Sequence, residues 1–227
     1  MKKQVFVGIA LAMAVAAIGM TGAAAQAANS SNVYITEWMY KPAGTATLGE
    51  FAEITNTGTT AVDMTGWSFD DSHRIAGTTD LSSIGTLASG ESAIITDDTA
   101  ADFRSIWSLS ASVPVIGDNT ANLGNGDEIN IYDASQTLVD ELTYDNGTVD
   151  PKTSGVSGNI PFADLGTNDA KDAVLSFVGD TYGSTTSTQG DIGNPGFYPV
   201  PTVTTPEPAS LGVLALGGLA LLARRRK

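Results

Sequence analysis

From Val33 onward the apolar residues come in short alternations broken by Gly, Asn, Asp and Thr, the pattern of half-buried strands joined by turns. Val33 to Tyr40 alternates Val33, Ile35, Glu37 and Met39 against Tyr34, Thr36, Trp38 and Tyr40. Glu50 to Asn56 predicts a second strand anchored by Phe51 and Ile54, and Asn56-Thr57-Gly58-Thr59 predicts a turn because Asn and Gly tolerate positive φ. Val62 to Phe69 predicts a third strand, with Gly66 marking a bend or a close approach of backbone. Ser92 to Thr96, Glu128 to Tyr132 and Leu138 to Tyr144 complete the series. Asp97-Asp98-Thr99 can cap one short helix over Ala100 to Trp107, where Phe103, Ile106 and Trp107 share a face. Short strands, one short helix and no crossover helices predict an all-β, antiparallel β-sandwich and argue against a parallel α/β sheet.

The chain contains no cysteine, so neither a disulfide nor a thiolate zinc site can hold such a sandwich together. Its stability must come from a core.

Both ends carry signals of a different kind. Met1-Lys2-Lys3, the apolar run from Val5 to Met20 and the small residues around Ala25-Gln26-Ala27 predict a secretory signal peptide over 1–27, with Ala25 and Ala27 forming the A-x-A cleavage site. At the other end Pro206-Glu207-Pro208 precedes an uncharged segment, Ala209 to Ala223, and then Arg224, Arg225, Arg226 and Lys227. As a helix that segment reaches about 22 Å, short of the roughly 30 Å hydrocarbon core, so it holds a membrane only marginally. The cations behind it predict a cytoplasmic C-terminus, Arg224 to Arg226 acting as the membrane stop. An ordinary single-span anchor is the plainer reading of the same residues.

The tripeptide, the Gly-rich apolar segment and the terminal Arg cluster closely resemble the PEP-CTERM sorting signal of bacterial exported proteins. In that family the tail is a temporary anchor, recognised and cut by an exosortase. The resemblance covers Pro206 to Lys227 and implies a transient inner-membrane anchor followed by the cell surface or the extracellular polymer.

A second resemblance lies in the strands. Ile35-Thr36-Glu37-Trp38-Met39-Tyr40, then Gly49 to Asn56, then Val62 to Phe69 looks like the opening of a lamin-tail domain. Leu87-Ala88-Ser89-Gly90-Glu91 fits the turn before that family's central strand, and Leu123 to Ile129 with Val139 to Tyr144 fits its closing hairpin. The match implies an immunoglobulin-like sandwich and a non-catalytic interaction module, and it carries over no catalytic residue.

These readings divide the chain into a signal peptide over 1–27, the sandwich over 28–145, an extension over 146–197 packed on it, a Pro-rich spacer over 198–205 and the sorting tail over 206–227. Within the extension Ala173 to Val178 predicts one more strand, and Ser184 to Ser187 a polar loop. Asp191 to Gly196 resembles the closing segment of exported relatives.

With the two ends removed, five cations face 24 acids, a formal charge of −19 that excludes nucleic acid as a favoured partner. The expected partners are the exosortase and the membrane during sorting, and exopolysaccharide or other surface proteins afterwards. His73, the one histidine, stands in the polar turn Asp70 to Arg74 and leaves no Cys-His pair or H-E-x-x-H site. Two other classes compete with an interaction module. A secreted hydrolase would use the surface carboxylates Glu37, Glu50 and Glu53, for which hydrogen bonds to loop backbone are the alternative role. A calcium-dependent module would use Asp97, Asp98 and Asp102, or Asp118, Asn119, Asn122, Asp127 and Glu128, although no spacing follows the EF-hand. No cofactor is expected, calcium being the one ion that suits these loops. Trp38, Trp67 and Trp107 are expected in the core and not on a sugar-stacking surface.

Overall fold

A computed structural model describes residues 32–44 and 48–201. The predicted signal peptide with Ala25 and Ala27, and the sorting tail with Pro206, Glu207, Pro208 and Arg224 to Arg226, lie outside the described residues.

In chain order the strands are β1 (Val33–Met39), β2 (Phe51–Asn56), β3 (Val62–Asp63), β4 (Ser68–Asp70), β5 (Thr79–Asp80), β6 (Thr86–Leu87) and β7 (Ser92–Thr96). A helix, α1 (Ala100–Trp107), precedes β8 (Val115–Ile116), β9 (Asp127–Tyr132) and β10 (Leu138–Tyr144). The extension adds β11 (Gly158–Asn159), β12 (Val174–Leu175), β13 (Thr185–Thr186) and β14 (Ile192–Gly193).

Two sheets make the sandwich: a larger one in the order β12-β11-β1-β2-β7-β8 and a smaller one in the order β10-β9-β4-β5. Their facing sides form one core, to which β1, Tyr40 just after it, and β2 contribute Val33, Ile35, Trp38, Tyr40, Ala52 and Ile54, and the smaller sheet Phe69, Ile129, Ile131, Leu142 and Tyr144. Tyr144 joins the sheets through ring contacts with Trp38 at 5.7 Å and Tyr40 at 5.9 Å.

The strict alternation expected for β1 is broken. The β1–β2 register shifts between Ile35 and Glu37, so that Ile35 pairs with Ile54 and Glu37 with Glu53. Such a shift inserts one residue and exchanges the faces beyond it. Trp38 and Tyr40 therefore join Val33 and Ile35 in the core, while Glu37 and Met39 turn to the outer face.

Three other expectations change. Val62 to Phe69 is two strands in different sheets, because Gly66 takes φ 77° and the chain turns there, with the Trp67 amide bonded to Met64 O. The pairing of β7 with β8 is parallel, since the chain passes through α1 before returning and so has the length a parallel return requires. Ser184 to Ser187 is no loop: Thr185–Thr186 pairs with Ile192–Gly193, and Ser184 and Ser187 are buried.

The outer face of the larger sheet is covered twice. At one end Met39, Phe51 and Ile94 lie under Phe103 and Trp107 of α1. Thr99 caps that helix by accepting from the Asp102 amide, and its two aromatics, one turn apart, meet the Phe51 ring edge-on at 5.5 and 5.9 Å. Beside them the extension adds β11 to the free side of β1 and lays its last turns over Glu37 and Glu53. Ile160 N donates to Thr36 O, tying β11's end to the irregular point of β1. Tyr198, assigned from sequence to the start of the spacer, is buried and donates its hydroxyl to Ile160 O at 2.7 Å. The ordered body thus runs past the expected boundary, because the ring finds both an apolar slot and a carbonyl.

Candidate functional site

The strongest concentration of buried polar groups lies where the extension meets β1 and β2. Glu37 and Glu53, opposite each other in register, are both completely buried. Glu37 Oε1 accepts from Asn194 N at 2.8 Å and from the Ser157 hydroxyl. Glu53 accepts from Thr36 Oγ1 at 2.7 Å and, through its other oxygen, from Gly196 N at 2.7 Å. Asn159, paired with Glu37 across β11, donates to Ser176 Oγ and Asn194 Oδ1. Glu37 Oε2 and Asn159 Oδ1 are buried acceptors without a donor.

Burial, and then the like charge of Glu53, push the Glu37 carboxyl well above the usual carboxylate range. Burial likewise raises Glu53, to about 7, against the opposing pull of its hydrogen bonds from Thr36, Gly196 and Thr55. An ionised pair at this spacing, away from solvent and without a cation, is far costlier than one neutral acid and one carboxylate. The arrangement can therefore hold a proton and two backbone amides.

Glu50 is separate from this pair. Its Oε1 accepts from Leu123 N at 2.6 Å, and burial raises its carboxyl to about 8. The three carboxylates named from sequence are thus interior groups tied to loop backbone, not a surface set. The premise of surface carboxylates fails because each of the three lies under a covering loop whose amide it accepts from.

Most of the candidate calcium ligands already bond to the protein's own groups. Asp97 accepts from Gly49 N, Asp102 from Thr99 Oγ1, and Asp127 from Gly124 N and Glu128 N. Asn119 uses its amide on Thr79 and Ala121, and Glu128 takes the Arg74 guanidinium. Asp118 and Asn122 stand exposed. Asp98 keeps one buried oxygen without a partner, but among the described residues no three acidic or histidine groups converge as metal ligands. His73 stays in an exposed turn with Nδ1 2.6 Å from Asp71 Oδ1, and that hydrogen bond raises its pKa. Trp38, Trp67 and Trp107 are all buried.

Asn194 also lines a shallow depression of about 210 Å³ with Trp107, Leu109, Thr185 and Phe197. Both Asn194 Oδ1 and Nδ2 are engaged internally, on Asn159, Ser184 and Phe197 O, so its walls are mostly apolar. Sequence reasoning missed Asn159, Asn194 and Phe197. The signal available was a set of Asn, Ser and Phe residues in a stretch too polar to form a core alone.

Comparison with known proteins fits this architecture. Residues 204–227 match the PEP-CTERM protein-sorting motif, which marks an exported protein processed at the membrane by an exosortase. No curated protein and no solved structure matches the chain. The Lamin Tail Domain model, an immunoglobulin-like sandwich, matches residues 26–146, more than half of the chain, and the protein belongs to that family.

Proposed function

We propose that this is a non-enzymatic interaction protein of the cell surface or extracellular polymer, with the lamin-tail sandwich as its binding body and the C-terminal motif as its route there. The observation that carries the reading is the fate of the carboxylates. A glycosidase needs two acids that a substrate can reach. Here Glu37 and Glu53 are sealed under Asn194 and Gly196, and one oxygen of each accepts from a backbone amide of that segment. The role left to them is to hold the extension in place, which favours a structural or adhesive task over hydrolysis. The occupied acidic loops support a calcium-independent module in the same way, and the −19 charge argues against nucleic acid.

Fractionation of the producing cells with mass spectrometry of the mature C-terminus tests the route. The expected product lacks Arg224 to Lys227 and is found outside the inner membrane. A mature chain that keeps those residues and stays in the inner membrane would overturn sorting in favour of a permanent anchor.

A further inference from the structure

Three of the six described phenylalanines are in the cores, and the other three, Phe162, Phe177 and Phe197, are 44, 59 and 57% exposed. All three exposed rings belong to the extension, and bonds between their neighbours link the segments that carry them. Phe177 N donates to Asp180 Oδ2, and the other oxygen of that carboxylate holds the amides of Tyr182 and Ser184. The next residue along this turn, Gly183, is adjacent to the Phe197 ring: a Cβ there would stand 3.8 Å from it. The Tyr182 and Tyr198 rings are 6.0 Å apart, and Tyr198 is hydrogen-bonded to Ile160, two residues before Phe162. Val178, on the same turn as Phe177, is 61% exposed. The described chain ends at Pro201, three residues beyond Tyr198.

We propose that this aromatic rim is the face the domain lays on the outer surface of the lipid bilayer while its tail is anchored. The inference rests on the sorting reading of the tail. The covalent tether supports it: from Pro201 to Pro206 the chain spans at most about 18 Å, and to the start of the apolar run at Ala209 at most about 29 Å. A folded body of this size is roughly 40 Å across, so it cannot swing clear, and the end where the chain exits is kept toward the membrane. That end is where the exposed rings cluster. Electrostatic attraction cannot supply the contact, because the exported part carries −19 and anionic lipid repels it. Partial insertion of exposed aromatic and aliphatic side chains into the interface can. Asp180, the acid at the centre of the rim, is turned onto backbone amides, and its carboxylate is held below the usual range by those bonds and the Ser184 hydroxyl despite some burial.

The absence of cysteine allows a clean test on the full chain. Val178→Cys carries an environment-sensitive fluorophore at the rim, and Ser135→Cys carries it on the exposed β9–β10 turn of the other sheet. Each protein is reconstituted into phosphatidylcholine vesicles with and without a spin-labelled quencher lipid and checked by flotation. The rim label is expected to shift to the blue, brighten by about two-fold or more and be quenched by the labelled lipid, as interfacial burial produces. The turn label should stay as in water, and Phe177→Ser with Phe197→Ser should abolish the rim response while the protein still floats. Flotation with an unresponsive rim label overturns this proposal alone. Failure to float overturns the anchoring on which it rests. A blue shift that needs no lipid but grows with protein concentration reassigns the rim to a contact between copies and overturns the proposal as well.

Discussion

Glu37 and Glu53 face each other across the β1–β2 ladder with no solvent exposure and no cation among the groups that perturb them. The pair exists because of the register shift at Thr36. Without it Glu37 would share a face with Val33 and Ile35 and enter the apolar core, where no amide could reach it. With it both acids lie under the extension, whose amides need acceptors. A local irregularity in one strand thus decides where the last third of the domain can dock.

Stability should fall as pH rises through neutrality. Glu53 and Asp140 are raised to about 7 and Glu50 to about 8, all chiefly by burial, and Glu37 is raised as well. Below about 4.5 both the folded and unfolded chains hold these protons, and the stability the groups contribute is fully present. Between that value and the folded values only the native state is protonated, so stability declines until about pH 8. The exposed acids Asp63 and Asp80 and the half-buried Asp133 are lowered by their hydroxyl and amide partners, and the little stability they contribute is lost in stronger acid. Melting followed by circular dichroism from pH 3 to 9 should peak near pH 4–5, and Glu37→Gln should flatten the fall above it. A melting temperature that rises from pH 5 to 8 would contradict the assignment.

Asp140 of β10 ties the two sheets together, since its Oδ2 accepts from Ile35 N of β1 at 2.8 Å. Removing it leaves a buried amide without a partner, a cost of about 1–3 kcal/mol. Asp140→Ala should lose that much in urea unfolding, whereas Asp140→Asn keeps an acceptor and should lose less. Equal losses would mean that the charge, not the hydrogen bond, matters.

Gly117 admits no side chain although its φ is unremarkable. A Cβ there would stand 2.3 Å from Ala100 N and 2.8 Å from Asp98 O, both backbone atoms at the start of α1. Gly117→Ala must therefore shift α1 or β8, and a loss of roughly 1–3 kcal/mol or more is expected. Gly77→Ala, in open space but at φ 92°, tests strain alone. If Gly117→Ala melts with the unaltered protein, the close approach of Gly117 to the backbone at the start of α1 is wrong.

A calcium-dependent fold would respond to chelation, because an ion bound only by the native state adds stability that grows with the logarithm of its free concentration above Kd. With Asp97, Asp102 and Asp127 already engaged by the protein, adding chelator or excess calcium should leave the melting temperature unchanged. A rise with calcium concentration would instead assign a site to the partnerless oxygen of Asp98.

The strands of the sandwich could be read from sequence as short runs rich in β-branched and aromatic residues between Gly, Asn and Asp turns, although β1, β2 and β7 are buried on both faces and it is β10 that keeps the alternation. The α1 cap was legible for a similar reason, as Thr99 and the i, i+4 aromatics Phe103 and Trp107 are local signals. What stayed hidden was whatever depends on a partner distant in the chain. The shift at Thr36 leaves no mark in the alternation, because Glu37 and Trp38 read equally well on either face. Thr185–Thr186 resembles a loop until Ile192–Gly193 pairs with it. Glu37 and Glu53 could be singled out, but not their burial, which comes from Asn194 and Gly196 about 150 residues away.

That remoteness gives the sharpest test of the docked extension. A chain stopped after Gly190 deprives Glu37 of Asn194 N, Glu53 of Gly196 N, Asn159 of Asn194 Oδ1 and Ser157 N of Ile192 O. All four groups are buried under the closing segment, so its removal forfeits four hydrogen bonds, about 0.5–1.5 kcal/mol each, together with the packing of Tyr198, a large share of the 5–15 kcal/mol that holds a typical domain. A chain stopped after Pro201 keeps every one of these bonds. The first should unfold at much lower urea than the second, or fail to give a cooperative transition, although both retain the complete family-matched region over 26–146. Equal midpoints would mean that the sandwich is self-sufficient and that the carboxylate pair has some role other than holding the closing segment.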